Sequence, residues 1–399
     1  MAGIGFSLRA LARQESLSAV VKASGHAAVI AAGPWLFTIV SLAAITAFTE
    51  AIAGHGALAT FRAIVIYAFA TSLVATAPIT IVATRLLADH LWRRDTASVP
   101  ALFIAALVAA LMVVAPCIAA LVSYFGVPAR LAIALYGATS IVAMIWVALA
   151  FCGAVRDYKA ITYAFLTGLF IAVAGSTAAA LTGLGAAGMT WGFVTGLAVT
   201  LLGLALSVIA TFPASVTRPF AALGELLRGH TTYGFLAAGA LLGTGAIWVD
   251  KWVFWFSSEG ATVEGGLIHA PLYDSAMFIA SLVIIPALAQ FVVKLETEFF
   301  ERYRAYYGAV QGHGTIDQIE TRRVELEGFS FESLALITVS QLALAAVLAL
   351  SAPAIVDCSP LAPRNTTSTS PTRSFDNRST TEPVIWTSPL SRSSVPIVP

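Results

Sequence analysis

Charged side chains are what this 399-residue chain has least of: Asp, Glu, Lys and Arg make up 11% of it, hydrophobic residues 58%. A soluble domain carries about 25% charged residues, so most of this surface is not one that water covers. Cysteine is scarce too. Cys117, Cys152 and Cys358 show neither disulfide nor metal-ligand spacing, and no metal is expected. Missing as well are a GxxxxGK phosphate loop, a GxSxG elbow and an HExxH zinc motif, so neither ATP hydrolysis nor hydrolase chemistry is supported. The chain reads as a non-enzyme, with no cofactor, no catalytic residue and no nucleic-acid partner.

What fills the sequence instead is nine long apolar runs, near 26–49, 60–82, 100–124, 131–153, 160–182, 186–210, 232–256, 269–292 and 332–352. A helix rises about 1.5 Å per residue and the hydrocarbon layer is roughly 30 Å thick, so about 20 apolar residues span it. The mean hydropathy of +0.86 agrees. None of the runs alternates with period two, and lipid cannot satisfy an open backbone, so helices are the expected element. The expected fold is an all-α polytopic membrane protein. The first run is too long for a signal-peptide core, and no cleavage is expected.

Basic residues fall in alternate gaps. Arg9, Arg13 and Lys22 precede the first run; Arg85, Arg93 and Arg94, then Arg156 and Lys159, then Arg218 and Arg228, then Lys294, Arg302, Arg304, Arg322 and Arg323 follow. The intervening gaps offer only Arg62 and Arg130, at span edges. The positive-inside rule therefore predicts a cytoplasmic N-terminus.

Residues 1–25 read as an amphipathic cytoplasmic segment. Residues 26–210 read as a first lobe of six helices, 211–231 as a cytoplasmic linker, and 232–352 as a second lobe of three helices. Within that second part, 293–328 reads as a cytoplasmic helical segment. Its stretch KLETEFFERYRAYYGAV sets Glu298, Phe299, Phe300, Glu301 and Tyr303 as a candidate docking surface for a partner, or as an interfacial helix. From 353 the composition changes: 24 of 47 residues are Pro, Ser or Thr. Such a tail should be disordered. It also reads as a frame slip or artificial terminus, which resequencing the coding region would test.

Ionisable residues inside the apolar runs are few, and they gather at one depth. Asp250 and Lys251 stand near the end of the seventh run, in TGAIWVDKWVFWF, and Asp274 near the start of the eighth, in HAPLYDSAMFIA. Antiparallel neighbours bring the three to one level, where an ionised group costs ~2.5–3.5 kcal/mol unless paired or facing a hydrated path. They are the candidate transport or ion-coupling residues. Trp248, Trp252 and Trp255 follow helical spacing and read as interfacial anchors, beside which Lys251 could simply snorkel. Gly33 and Pro34 interrupt the first run and form a candidate hinge. The glycines of the fifth and sixth runs, Gly168, Gly175, Gly183, Gly188, Gly192 and Gly196, read as close-packing positions.

Several segments together resemble the PelG family, the membrane transporter subunit of a bacterial exopolysaccharide export system. They are MAGIGFSLR, GHAAVIAAGPWL, IWVDKWVFWF, APLYDSAMFIASLVIIPALAQF and ETEFFERY. The likeness runs over about residues 1–352. It implies the multidrug/oligosaccharidyl-lipid/polysaccharide flippase fold, two six-helix lobes with alternating access, in the bacterial inner membrane. It also implies a polysaccharide substrate rich in N-acetylgalactosamine and galactosamine, inner-membrane scaffold subunits, and a cytoplasmic glycosyltransferase. The family has about twelve spans and this chain nine, with the Pro/Ser/Thr-rich tail where the last would stand. Two other functions fit the residues: a non-transporting assembly subunit anchoring a synthase, and an ion-coupled small-molecule antiporter.

Overall fold

The computed structural model describes residues 37–155, 158–216, 218–294 and 298–358. The candidate hinge Gly33-Pro34, the segment 1–25 and the tail beyond 358 lie outside these residues. The chain is an all-α polytopic membrane protein. Its helices are α1 (Phe37–Ala53), α2 (His55–Trp92), α3 (Val99–Phe125), α4 (Ala129–Cys152), α5 (Tyr158–Leu181) and α6 (Gly185–Thr211). They continue with α7 (Pro219–Thr232), α8 (Gly234–Trp255), α9 (Pro271–Lys294), α10 (Phe300–Gln311) and α11 (Ile316–Cys358). Among the described residues, six helices are long and apolar enough to cross a membrane, seven if the bent pair α7–α8 is one span. Each of the nine expected spans holds a helix, but α1 is described for only part of its expected length.

Local chemistry sets the helix ends. Gly126 closes α3 in the left-handed conformation at φ 64°, which a residue without Cβ adopts at no steric cost. Gly183 and Gly185, at φ 70° and 65°, turn the chain between α5 and α6. Proline stands at the start of α7, where its missing N–H costs nothing. At 38 residues α2 is about 57 Å long, well beyond the hydrocarbon thickness. Arg85, Arg93 and Arg94 mark one end of it, here the basic end; His55 marks the far end.

The core lies among the first six helices. Phe37, Phe61, Phe165 and Phe193 meet there edge-on or tilted, with ring centroids 5.8–6.3 Å apart. Aromatic pairs in such geometry stabilise beyond their buried area. Hydroxyls inside α2 bond back to the preceding turn, Thr76 to the Ser72 carbonyl at 2.8 Å and Thr80 to Thr76 at 2.9 Å, which satisfies these polar groups within their own helix. The closest helix pair is α5 with α6. A methyl on Gly175 would lie 3.0 Å from the Gly192 carbonyl oxygen, and one on Gly196 would lie 2.5 Å from the Ala172 Cβ. Of the six glycines expected to pack closely, Gly168, Gly175, Gly192 and Gly196 do so across this pair. Gly183 serves the turn, and Gly188 faces only the Leu184 side chain of its own chain segment.

Within the expected linker 211–231, most of the chain forms the amphipathic helix α7, and an 83° bend at Tyr233 leads into α8. α8 packs along α2. Between α8 and α9 the chain forms a small antiparallel hairpin, β1 (Ala261–Thr262) with β2 (Ile268–His269), which the apolar pattern did not foretell. The charged helix expected to end at Glu327 and the ninth span form one continuous helix, α11. Ser330 bonds back to the Leu326 carbonyl across the expected break, and Gly328 alone does not interrupt a helix that has no proline there. The chain divides into two compact units, 1–348 and 349–399; of the second, only the last turns of α11 are described.

Candidate functional site

At the far end of the bundle α8 finishes and α9 begins, and the three ionisable residues meet there. Lys251 Nζ lies 3.9 Å from Asp274 Oδ1, with both side chains largely buried. Asp274 stands in the first turn of α9, where the unsatisfied N–H groups of a helix favour a carboxylate. Its Oδ2 accepts the Ala270 amide at 3.1 Å, and both of its oxygens accept the Trp255 indole N–H at 3.2 Å. Asp250, one turn from the end of α8, accepts the Tyr273 hydroxyl at 2.5 Å and the Lys251 amide at 2.8 Å. The Lys251 ammonium also lies over the Trp248 and Tyr273 rings, at 5.9 and 5.6 Å. The two helices are thus joined by their polar residues: two carboxylates, one ammonium and one phenol, on aromatic walls.

The wall reaches across to α2. Tyr67 stacks on Trp255 with centroids 4.5 Å apart, and its hydroxyl donates to the Ile268 carbonyl at 2.9 Å. Through that bond the hairpin is pulled onto the first six helices. Leu267 and Ala270 are fully buried, and a methyl on Gly265 would press on Leu131 and Pro128. Gly265 and Gly266, at φ 89° and 78°, allow the chain to turn in so tight a space. Arg62, on α2, donates to the Thr46 hydroxyl at 2.8 Å. His269, in the hairpin, has its imidazole held below its ordinary range by burial; the Asp274 carboxylate opposes that shift and Arg62 adds to it.

A search of protein families matches residues 1–367 to PelG, described as "Putative exopolysaccharide Exporter (EPS-E)". The chain belongs to the PelG family. No curated protein and no solved structure matches it. Membership in PelG, with the run of long apolar helices, makes this a multi-pass membrane protein of exopolysaccharide export.

The other expected residues of this PelG-family chain lie as follows. Trp248 and Trp255 are buried against protein and Trp252 is partly buried, so this stripe faces the bundle at least as much as the headgroups. On the candidate docking segment, Phe299 stacks on Tyr303 at 6.1 Å and Tyr303 lies 4.5 Å from Tyr307, an aromatic ladder along α10. Glu298 is paired with Lys294 at 3.2 Å and with Arg302 at 3.8 Å. Phe300 and Glu301 stand beside the ladder in the first turn of α10. Arg302 and Lys294 in turn lie over the buried Phe329 ring of α11, at 4.1 and 5.6 Å. A small apolar hollow, lined by Phe37, Phe69, Trp146 and Phe165 among others, sits among the first six helices, away from the carboxylates.

Sequence reasoning missed Tyr67, Arg62 and the hairpin. By position Arg62 reads only as a span-edge residue, although an arginine on the charge-poor side of an apolar run is itself a signal. Tyr67 carried none, since one tyrosine among apolar neighbours looks like core.

Proposed function

We propose that this chain moves an exopolysaccharide across the bacterial inner membrane, with its N-terminus and its basic end cytoplasmic. In this reading α1–α6 form one lobe and α8, α9 and α11 contribute to a second. The polymer passes between them, by alternating access or through a tunnel. Family membership supports the export of exopolysaccharide, and the distribution of Arg and Lys supports the orientation.

The observation that carries the mechanism is the buried Asp250–Lys251–Asp274 cluster at the junction of α8, α9 and α2. The ammonium pairs with Asp274, and Asp250 is held by neutral donors, so the cluster holds a spare negative charge that favours a cationic sugar or a coupling ion. Through Trp255, which donates to Asp274 and stacks on Tyr67 of α2, it is tied to both groups of helices, as a site sensing their relative position would be. Trp248, under the ammonium, and Trp255, donating to Asp274, hold it in place, with Trp252 between them on the same helix.

The test is Asp250→Asn and Asp274→Asn, each made alone. Asparagine keeps an acceptor for Tyr273, Trp255 and the Ala270 amide, so insertion should be unchanged while secreted polymer falls to background. Normal secretion by both variants would end this assignment.

A second reading, a non-transporting subunit that anchors a glycosyltransferase, is favoured by one observation. The α10 ladder leaves Tyr303 and Tyr307 exposed, beside Glu298, Phe299, Phe300 and Glu301. Under that reading, deletion of 298–311 breaks co-purification with the glycosyltransferase and the aspartate variants change nothing. An ion-coupled antiporter for small molecules would need no such enzyme partner.

A further inference from the structure

The basic end of α2 holds a polar knot that takes no part in the cluster above. His90, in the last turn of α2, is buried, and each of its ring nitrogens faces a different carboxylate. Nδ1 lies 3.2 Å from Asp95 Oδ2 and Nε2 lies 3.2 Å from Glu225 Oε1. Asp95 belongs to the turn after α2 and is fixed by Ser98, whose hydroxyl donates to it at 2.7 Å and whose amide donates at 3.3 Å. Glu225 belongs to α7. Nε2 is close to Glu225 but out of line for a hydrogen bond, and no other described group satisfies it.

A carboxylate only accepts. A neutral imidazole offers one N–H and one lone pair, so it can satisfy one of the two acids and must turn its lone pair on the other. A ring carrying both protons donates to both. We propose that His90 is a proton-binding site, and that its proton clamps α7 onto α2 by bridging Asp95 and Glu225. With the proton gone, Asp95 keeps the ring through Nδ1–H and Glu225 is released.

One neighbouring contact also joins these helices, at the C-terminal end of α7, but it uses no group of the His90 bridge. Asp89, one residue before His90, accepts the Tyr233 hydroxyl at 2.9 Å and lies 3.9 Å from Arg85. His230 on α7 is engaged with the Leu226 carbonyl at 2.8 Å. α3, which touches α7 through Ala101 and Ala105, carries no ionisable group between Val99 and Cys117. The carboxylates that meet the ring are Asp95 and Glu225; Asp89, Arg85, Arg93 and Arg94 stand near it on or just after α2, and Arg228 stands one turn from Glu225 on α7. α7 leads through Tyr233 directly into α8, the helix that carries Asp250 and Lys251, so the proton acts on the brace of that helix.

Hydrogen–deuterium exchange on the full chain in nanodiscs tests it, at pH about 6 and about 8, which bracket the range where an unperturbed histidine changes charge. After correction for the intrinsic pH dependence of exchange, the amides of 223–230 should be about tenfold more protected at the lower pH. That is the fold-change of losing one charge-assisted hydrogen bond. Glu225→Gln should be protected at both pH values, because its amide can donate to a bare Nε2 and its carbonyl can accept from a protonated one. His90→Ala should be unprotected at both. Unchanged protection of α5 and α6 shows that each variant is folded. Equal protection of wild type at the two pH values would overturn the proposal, as would wild-type pH dependence in Glu225→Gln. Those two proteins decide it even if His90→Ala does not fold.

Discussion

Replacing Gly196 with alanine adds one methyl group to the close contact between α5 and α6. That methyl would lie 2.5 Å from the Cβ of Ala172, a residue with no exposed surface, and would overlap the Gly168 carbonyl oxygen on α5. Carbon atoms rest at about 3.5–4.0 Å, so α5 and α6 must separate by roughly 1 Å to admit it. A radial gap of that size forfeits a quarter to a half of each dispersion contact along the seam. It also loosens Gly175 against Gly192, and Thr200 against the Ala164 carbonyl at 3.4 Å. Overpacking a tight core costs about 1–3 kcal/mol, and a seam of backbone rather than flexible side chains should fall at the upper end. We therefore expect Gly196→Ala to lose about 3 kcal/mol in a reversible denaturant titration in mixed micelles. Gly243→Ala, on α8, is the control: nothing lies within 4 Å of its added methyl. It should be neutral, or stabilising by up to ~1 kcal/mol from helix propensity. If Gly196→Ala unfolds within about 0.5 kcal/mol of wild type, the limit for a harmless substitution, the close approach of α5 and α6 is refuted.

Tyr67→Phe keeps the stack on Trp255 but leaves the Ile268 carbonyl without its donor. The loss should be about 1 kcal/mol, read as a roughly fivefold rise in cleavage of the hairpin by a glutamate-specific protease at Glu259 or Glu264. Unchanged cleavage would mean that the bond does not hold the hairpin down. For pH, hydrogen bonds from the Ser98 hydroxyl hold the Asp95 carboxyl below its ordinary range, helped by the Ser98 amide and by His90. A depressed carboxyl contributes stability above its unfolded value, about 3.9, and loses it as pH falls through the folded value. Ser98→Ala should therefore be less stable at neutral pH and show a smaller acid-side loss of stability below about pH 3.9, and an acid limb as deep as that of the wild type would contradict the role given to Ser98. The His269 imidazole is shifted the other way, to a lowered value by burial. Below the ordinary histidine value of about 6.5 the unfolded chain binds the extra proton, so His269 makes the fold less stable as pH drops through that window. His269→Gln should lessen that decline, and an unaltered slope between pH about 6.5 and 5 would count against it.

The apolar runs by themselves decided that this is a helical membrane protein, because in lipid the backbone must satisfy itself and length against bilayer thickness leaves little choice. They also placed Asp250, Lys251 and Asp274 at one level, since antiparallel helices of known rise fix depth by counting alone. Gly168, Gly175, Gly192 and Gly196 were legible for the same reason: a small residue recurring on one helix face marks where backbones approach. Partner choice was not legible. Which aromatic faces Trp255, why two glycines at 265 and 266 must bend the hairpin, and which carboxylates meet His90 depend on residues far apart in the chain, Tyr67 with Ile268 and His90 with Glu225. Helical periodicity reports which face of a helix is apolar but not its rotation against a neighbour. That rotation, set by packing all the helices at once, is what the tertiary structure decided.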